Sequence, residues 1–295
     1  MSLRLGDTRT ASRSSLLSLS TEARWLAYAL ADRDDWVSRV TAAGGSVSSG
    51  TQAAVLTFCQ SIYSAGLRSS FLRLNLFCGS NLAASLVPLF RASSYSGAVV
   101  GNASDTNVNF VSGDYSESTG LKGNGSSKYL NTGVTPLLLP DRTSFHLAGS
   151  GAEFSTNTNT ATLVGTWDGT AAGLYTLESS ILVSSSYFAA FRSGTTSSYP
   201  SVASSATESH LVGTRTTRNA AALYRGGSSV STNTTAVSPS ITTRNFLVFA
   251  SSTSTGVSNY SPARMTSYSI GGGLTAAQVS AYSTALIAFN TALGR

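Results

Sequence analysis

The hydrophobic periodicity of this chain changes once, across Thr119–Gly133, and that change restricts the fold more than any other feature of the sequence. Upstream, apolar residues recur at the spacing of one helix face; downstream they alternate in short runs between turn residues, as strands do. Within the stretch, Gly123 and Gly125 flank Asn124 and can take the positive φ of a tight turn, and Tyr129-Leu130 then opens an alternating segment. The pattern predicts a small helical region that leads into a two-layered β-sandwich.

Residues 1–20 form a polar arm with no face to bury, carrying Arg4, Arg9 and Arg13. Such an arm is expected to order only against another chain, with those arginines as its anchoring candidates. Residues 21–92 read as a helical anchoring region with one strand. Ser20 or Thr21 caps a first helix with a Trp25, Tyr28, Ala29 stripe, and Asp34-Asp35 is expected to start a second helix over Trp36–Ala43, ended by Gly44-Gly45. Ser48 or Ser49 caps a third, in which Val55, Phe58, Cys59 and Ile62 follow i, i+3, i+4, i+7 up to Gly66. The alternation in Phe71–Phe77 is expected to put Leu72, Leu74 and Leu76 on one strand face, and Ala83–Phe90 fits a short helix or a strand. Residues 93–118, with Gly97, Gly101, Asn102 and Gly113, read as a loop-rich linker.

Residues 119–295 carry strand-like segments behind turn signals: Ser144–Ala148, Ala161–Thr166, Gly173–Leu177, Ser180–Val183, Tyr187–Phe191, Glu208–Thr214, Ala220–Arg225, Phe246–Ala250 and Met265–Ile270. Spacing of this kind marks antiparallel strands of a sandwich or barrel. After Gly271-Gly272-Gly273 the period turns helical again. Thr275 caps a helix over 275–293 whose Val279, Tyr282, Ser283, Leu286, Phe289 and Leu293 form the face expected to lie on the sandwich.

Composition narrows the class. With 295 residues, 41% of them hydrophobic, the chain can bury a sizeable core, yet only 11% are charged, so Ser, Thr, Gly and Asn must cover much of the surface. The net charge of +6 rests almost wholly on arginine, lysine occurring only at 122 and 128. Arginine is enriched at protein interfaces, which points to protein partners, and its scatter along the chain argues against a nucleic-acid surface. Cys59 and Cys78 sit among apolar neighbours and read as buried free thiols. No apolar run approaches the length of a membrane span, and Met1–Asp7 lacks the apolar core of a signal peptide, so synthesis in a cytoplasm without export by that route is expected.

Ala222-Leu223-Tyr224-Arg225-Gly226-Gly227, the apolar strand Asn245–Ala250, Arg264–Gly271 and Leu274-Thr275-Ala276-Ala277-Gln278-Val279 together resemble the concanavalin A-like, laminin-G-like jelly roll. Asp35–Val40, Leu74–Gly79 and Leu86–Arg91 are similar to leader regions of bacteriophage and prophage structural proteins that bear such a domain. The resemblance implies a mainly β fold: an antiparallel jelly-roll sandwich preceded by a small helical region and closed by a C-terminal helix. It also implies a virion structural protein, such as a capsid decoration or cement protein, assembled as a homo-oligomer in contact with other virion proteins.

No catalytic pattern competes with that reading. Glycoside hydrolases of this fold class place paired acids on one strand, whereas Asp141, Glu153, Asp168, Glu178 and Glu208 stand isolated. Asp105, Asn107 and Asn109 open like a calcium loop, but Phe110 occupies the place of the required glycine and Ser116 that of the closing acid; with Asp114 or Glu117 they are weak metal candidates. His146 and His210 read as strand residues, and no cofactor site is evident. Trp167 and Asp168 are the glycan-contact candidates. They keep two alternatives open, a tail receptor-binding protein that touches host surface polysaccharide and a non-viral carbohydrate-binding module.

Overall fold

The computed structural model describes residues 20–91, 99–139, 145–152, 161–167, 178–183, 186–191, 200–203, 209–234 and 242–295. Among these, the chain builds a helical layer on one face of two mainly antiparallel sheets.

Helix α1 runs without a break over Thr21–Ala42, capped by Ser20, whose Oγ accepts from Ala23 N at 3.3 Å. The second helix expected at Asp34-Asp35 is therefore the continuation of the first. No Gly or Pro interrupts the run, and its buried stripe of Ala29, Trp36 and Val40 stays in phase across the acidic pair. Instead of capping, Asp35 pairs with Arg39 one turn on, at 2.7 Å. Helix α2, Ser49–Ser64, follows expectation: Ser48 caps it, and Val55, Phe58, Cys59 and Ile62 are buried. A single-turn helix α3, Leu82–Ser85, opens the segment left ambiguous from sequence, and that segment ends in strand β2, Phe90–Arg91.

Strand β1, Phe71–Asn75, is buried on both faces. A bulge against the strand Arg264–Gly271 inserts Leu72, so Leu72 joins the core with Phe77 while Phe71, Leu74 and Leu76 face the other way. The expected common face of Leu72, Leu74 and Leu76 fails for that reason. Where the chain enters β1, the Ser70 carbonyl packs on Gly271 so closely that a Cβ there would overlap it.

The sheets draw on β3 (Thr106–Val108), β4 (Tyr115–Ser116), β5 (Gly120–Lys122), β6 (Tyr129–Asn131), β7 (Phe145–Ala152), β8 (Ala161–Trp167), β9 (Glu178–Val183), β10 (Ser186–Phe191), β11 (Ser201–Ala203), β12 (Ser209–Thr217), β13 (Ala220–Arg225), β14 (Ser228–Asn233), β15 (Leu247–Val248), β16 (Ser251–Thr253), β17 (Gly256–Ser258) and β18 (Arg264–Gly271). The first sheet has the order β14-β13-β12-β7-β18-β1-β2, with β5 on β18 and β4 on β5; the second has β11-β10-β9-β8-β15-β6-β3, with β16 on β8 and β17 on β16. β16 lies parallel to β8; the other pairings are antiparallel. The expected strand at Gly173–Leu177 lies outside the described residues. Much of 93–118, expected as a linker, is tied into the sheets through β3 and β4.

Leu147, Leu211 and Ile270 of the first sheet meet Leu130, Leu163 and Val248 of the second in one core. A second core lies on the opposite face of the first sheet, where Ala148 and Val212 meet α1, α2 and helix α4, Ala276–Ala292. A Thr275–Gln278 capping box starts α4, and Val279, Tyr282, Ser283, Leu286 and Phe289 are buried as the sequence predicted. Because β1 is an inner strand, the helical region and the sandwich share this second core. The turn at Asn124 splits the glycines' roles: Gly125 takes φ +71°, whereas Gly123 serves a close approach, a Cβ there overlapping the Ser261 carbonyl.

Candidate functional site

Among the described residues, Asp105, Asp114, Glu117 and both histidines are held in structural bonds. Asp105 is fully buried, its Oδ1 accepting from Arg73 Nη2 at 2.7 Å and from the Tyr268 hydroxyl at 2.7 Å, its Oδ2 from Asn75 Nδ2 at 2.9 Å. A buried guanidinium requires such a partner, and β1 and β18 place Arg73 and Tyr268 side by side opposite it. Asn107 turns instead to the backbone of Phe110, and Asn109 Nδ2 donates to the Ser127 carbonyl. The weak metal candidates thus diverge. Asp114 binds Lys128, Glu117 accepts from Thr51 and Gly79 N, and no set of three metal-ligating side chains occurs among the described residues.

His146 and His210 lie on β7 and β12, as expected, and both face the helical core. His146 spans the Gly272 carbonyl at 2.6 Å and Ser269 Oγ at 3.0 Å; His210 Nδ1 meets Ser283 Oγ at 3.0 Å and its ring stands edge-on to Tyr282. Burial lowers His146 to about 4, against the opposing Gly272 bond, and lowers His210 to about 3, with His146 adding to the effect. Both are neutral at physiological pH. The free thiols Cys59 and Cys78 are buried, and burial pushes Cys78 up to about 12, which keeps it from acting as a nucleophile.

Of the glycan-contact candidates, Trp167 closes β8, while Asp168 lies outside the described residues, as do Arg4, Arg9 and Arg13. A polar concavity of about 430 Å³ opens elsewhere, on the outer face of the second sheet. Strand alternation builds it. Leu130 and Val248 point into the inter-sheet core, so Tyr129, Asn131 and Leu247 point outward, and Leu247 forms a buried floor. Arg244, Asn245 and Ser252 complete the wall. Asn245 Nδ2 donates to Asn131 Oδ1 at 3.0 Å, and that same oxygen accepts from Gly133 N at 2.9 Å, which fixes both amides. Ser252 Oγ donates to the Asn245 carbonyl at 2.8 Å, and Tyr260 packs on Tyr129 at 6.2 Å between ring centroids. Sequence reasoning missed this set because more than a hundred residues separate Asn131 from Arg244. The alternation through Tyr129 and the apolar strand Asn245–Ala250 were each there to see; that the two strands pair was not.

No protein-family model and no curated protein matches the chain. Among solved structures it is similar to Trypanosoma rangeli sialidase in complex with 2,3-difluorosialic acid, at 14% identity over 79% of this chain and 38% of that one, with a TM-score of 0.46. It is also similar to the NanB sialidase from Streptococcus pneumoniae, at 15% identity over 54% of this chain and 26% of that one, TM-score 0.41. The binding domain of botulinum neurotoxin serotype D aligns at 9% identity over 75% of this chain and 52% of that one, TM-score 0.40. The chain therefore spans about a quarter to a half of the length of these structures. Likeness at this level carries neither activity nor ligand across.

Proposed function

We propose that the protein is a non-enzymatic structural protein of a bacteriophage particle, a jelly roll on a helical base that works through contacts with other virion proteins and with further copies of itself. One observation supports it above the rest. The described carboxylates of Asp32, Asp105, Asp114 and Glu117 and both imidazoles are engaged in bonds that hold layers and loops together. A framework that commits its ionisable groups in this way is suited to rigidity rather than turnover. The phage assignment itself comes from the sequence resemblance of the leader and jelly-roll segments. Deleting Met1–Ser20 is expected to abolish incorporation into particles while the remaining chain keeps its thermal transition. Particles that load the truncated protein at the full level would overturn the reading. The concavity at Tyr129 favours a second role, adhesion to a glycan.

A further inference from the structure

We propose that the N-terminal half of helix α1 is the surface through which copies of this chain associate, each seating the Ala23–Leu30 stretch of its helix against the same stretch of another. The inference rests on the reading that the protein works together with further copies of itself, and it names the place where they meet.

The case starts from an inversion along α1. The later stretch, Ala31–Val40, contains Asp32, Arg33, Asp34, Asp35 and Arg39, yet it is the part that the body holds: Trp36 and Val40 are buried, and Arg39 reaches the Pro88 and Leu89 carbonyls. The earlier stretch, Ala23–Leu30, contains one charged residue, Arg24, and Ala29 is its only buried residue. Leu26 is 40% exposed, and Tyr28 is 41% exposed even though it meets Tyr63 of α2 at 5.6 Å between ring centroids. Trp25 and Leu30 are half-buried, and none of these four belongs to either core. A helix that is apolar nearly all round is one that something covers. Here the fold covers the charged part and leaves the apolar part out. Tryptophan and tyrosine are also the residues that protein interfaces concentrate, and charge is what interface centres exclude.

The spacing says that the cover is a helix of the same kind. Leu16, Leu19, Ala23, Leu26, Leu30, Val37 and Val40 follow alternating steps of three and four, broken only at Arg33. That is the heptad by which a helix meets a like helix along a shared seam. A straight helix drifts by about 20° per heptad against such a repeat, so a seam that lies inside the body at Val40 has turned out of it by Leu26. At about 100° per residue, Leu26 stands on the flank of α1 away from Tyr28, and so away from the side that α2 occupies. Residues 1–19 join α1 at this end and carry the first two positions of the repeat. From Leu16 to Leu30 the only charges are Glu22 and Arg24, one of each sign, so two identical faces meet without net repulsion.

The test is sedimentation equilibrium on the full-length protein over a wide range of concentration. The chain should associate, Leu26→Glu should raise the dissociation constant at least about tenfold, and Leu26→Met should leave it near the original value. Because Leu26 lies outside both cores, the melting transition of each variant should stay in place. A second measurement reads the same face if Leu26→Glu perturbs the fold. A short bifunctional thiol reagent should join Leu26→Cys into covalent dimers and should not join Ser38→Cys, which is exposed on the charged part of the same helix; the native Cys59 and Cys78 are buried. A chain that stays monomeric at every concentration overturns the proposal, as do equal cross-linking of the two cysteine variants and a Leu26→Glu variant that associates as tightly as the original. The last outcome leaves self-association standing through another surface. A Leu26→Cys thiol that reacts only once Met1–Leu19 is removed overturns the proposal in favour of the chain's own arm lying on this face. Particle incorporation is measured separately, so failure here leaves the virion reading standing.

Discussion

At the level of single residues, the molecule depends on a few buried polar groups whose partners come from distant parts of the chain. Asp105 neutralises Arg73 where both side chains are 0% exposed. Removing the acid strands a guanidinium out of water, so Asp105→Ala is expected to cost about 3–5 kcal/mol in denaturant unfolding. The double variant Arg73→Met, Asp105→Leu should recover at least half of that loss, because it removes the charge along with its partner. A double variant no better than the single one would place the cost in packing instead. The histidines make a second case. Both are held neutral in the folded chain, at about 4 and about 3, whereas an unfolded histidine takes a proton near its ordinary 6.5. Below that pH the unfolded state binds more protons than the native one, so stability is full above about 6.5 and is lost as pH falls toward 4 and 3. Melting temperature should drop across that window, and His210→Gln should flatten the slope whatever it does to the absolute value. His210 was legible in the sequence as a strand residue. That it meets Ser283 and Tyr282 of α4 was not, because strand periodicity names a face and leaves open what covers it.

At the level of elements, sequence signals held where one local rule decided the outcome. Ser48, the i, i+3, i+4, i+7 run and Gly66 set α2, and Thr275 with Gln278 set the start of α4. The reading failed where tertiary packing outweighed a local cue. Asp34-Asp35 resembles a helix start, yet α1 continues through it because Trp36 buries its ring and donates to the Val87 carbonyl at 3.0 Å while Arg39 reaches the Pro88 and Leu89 carbonyls. The phase of β1 was lost to one inserted residue, which no period-two pattern announces. The candidate site was hidden for a related reason: Tyr129 and Asn131 sit on one visible strand and Asn245 and Leu247 on another, and no local pattern announces that these two strands pair or that Arg244 stands beside them. The capping box gives the element-scale test. Thr275→Ala should cost about 1 kcal/mol, since it exposes the first amides of a helix whose inner face is already buried. Thermal melts would show it as a modest fall, and Thr275→Ser should restore most of it. No change in melting temperature would mean that packing of α4 alone sets its start.

At the level of the whole molecule, the question is whether the helical region is a separable base or a layer of one body. Strand β1 sits between β18 and β2, and the core beneath the helices joins residues from Ala29 to Phe289. Arg295 adds a tie from the other end, donating to the Leu76, Phe77, Glu117 and Thr266 carbonyls. Fully burying a large apolar side chain contributes roughly 1.5–3 kcal/mol. Phe71, Leu74, Leu76 and Phe90 are each no more than 1% exposed, so their loss alone is of the same order as the 5–15 kcal/mol that stabilises an ordinary domain. A fragment starting at residue 99 would also expose Ala148, Val212 and Leu274 and leave Asp105 without Arg73. Such a fragment is therefore expected to lack near-ultraviolet circular dichroism and to bind a hydrophobic dye, while the full chain melts in one transition seen alike by fluorescence and circular dichroism. A fragment with fixed tertiary structure, or two separate transitions in the full chain, would show instead that the sandwich stands without its helical layer. The single-body outcome also bears on assembly: a contact made through α1 or α2 would bear directly on the sheet that backs them, with no hinge between helical layer and sandwich to absorb it.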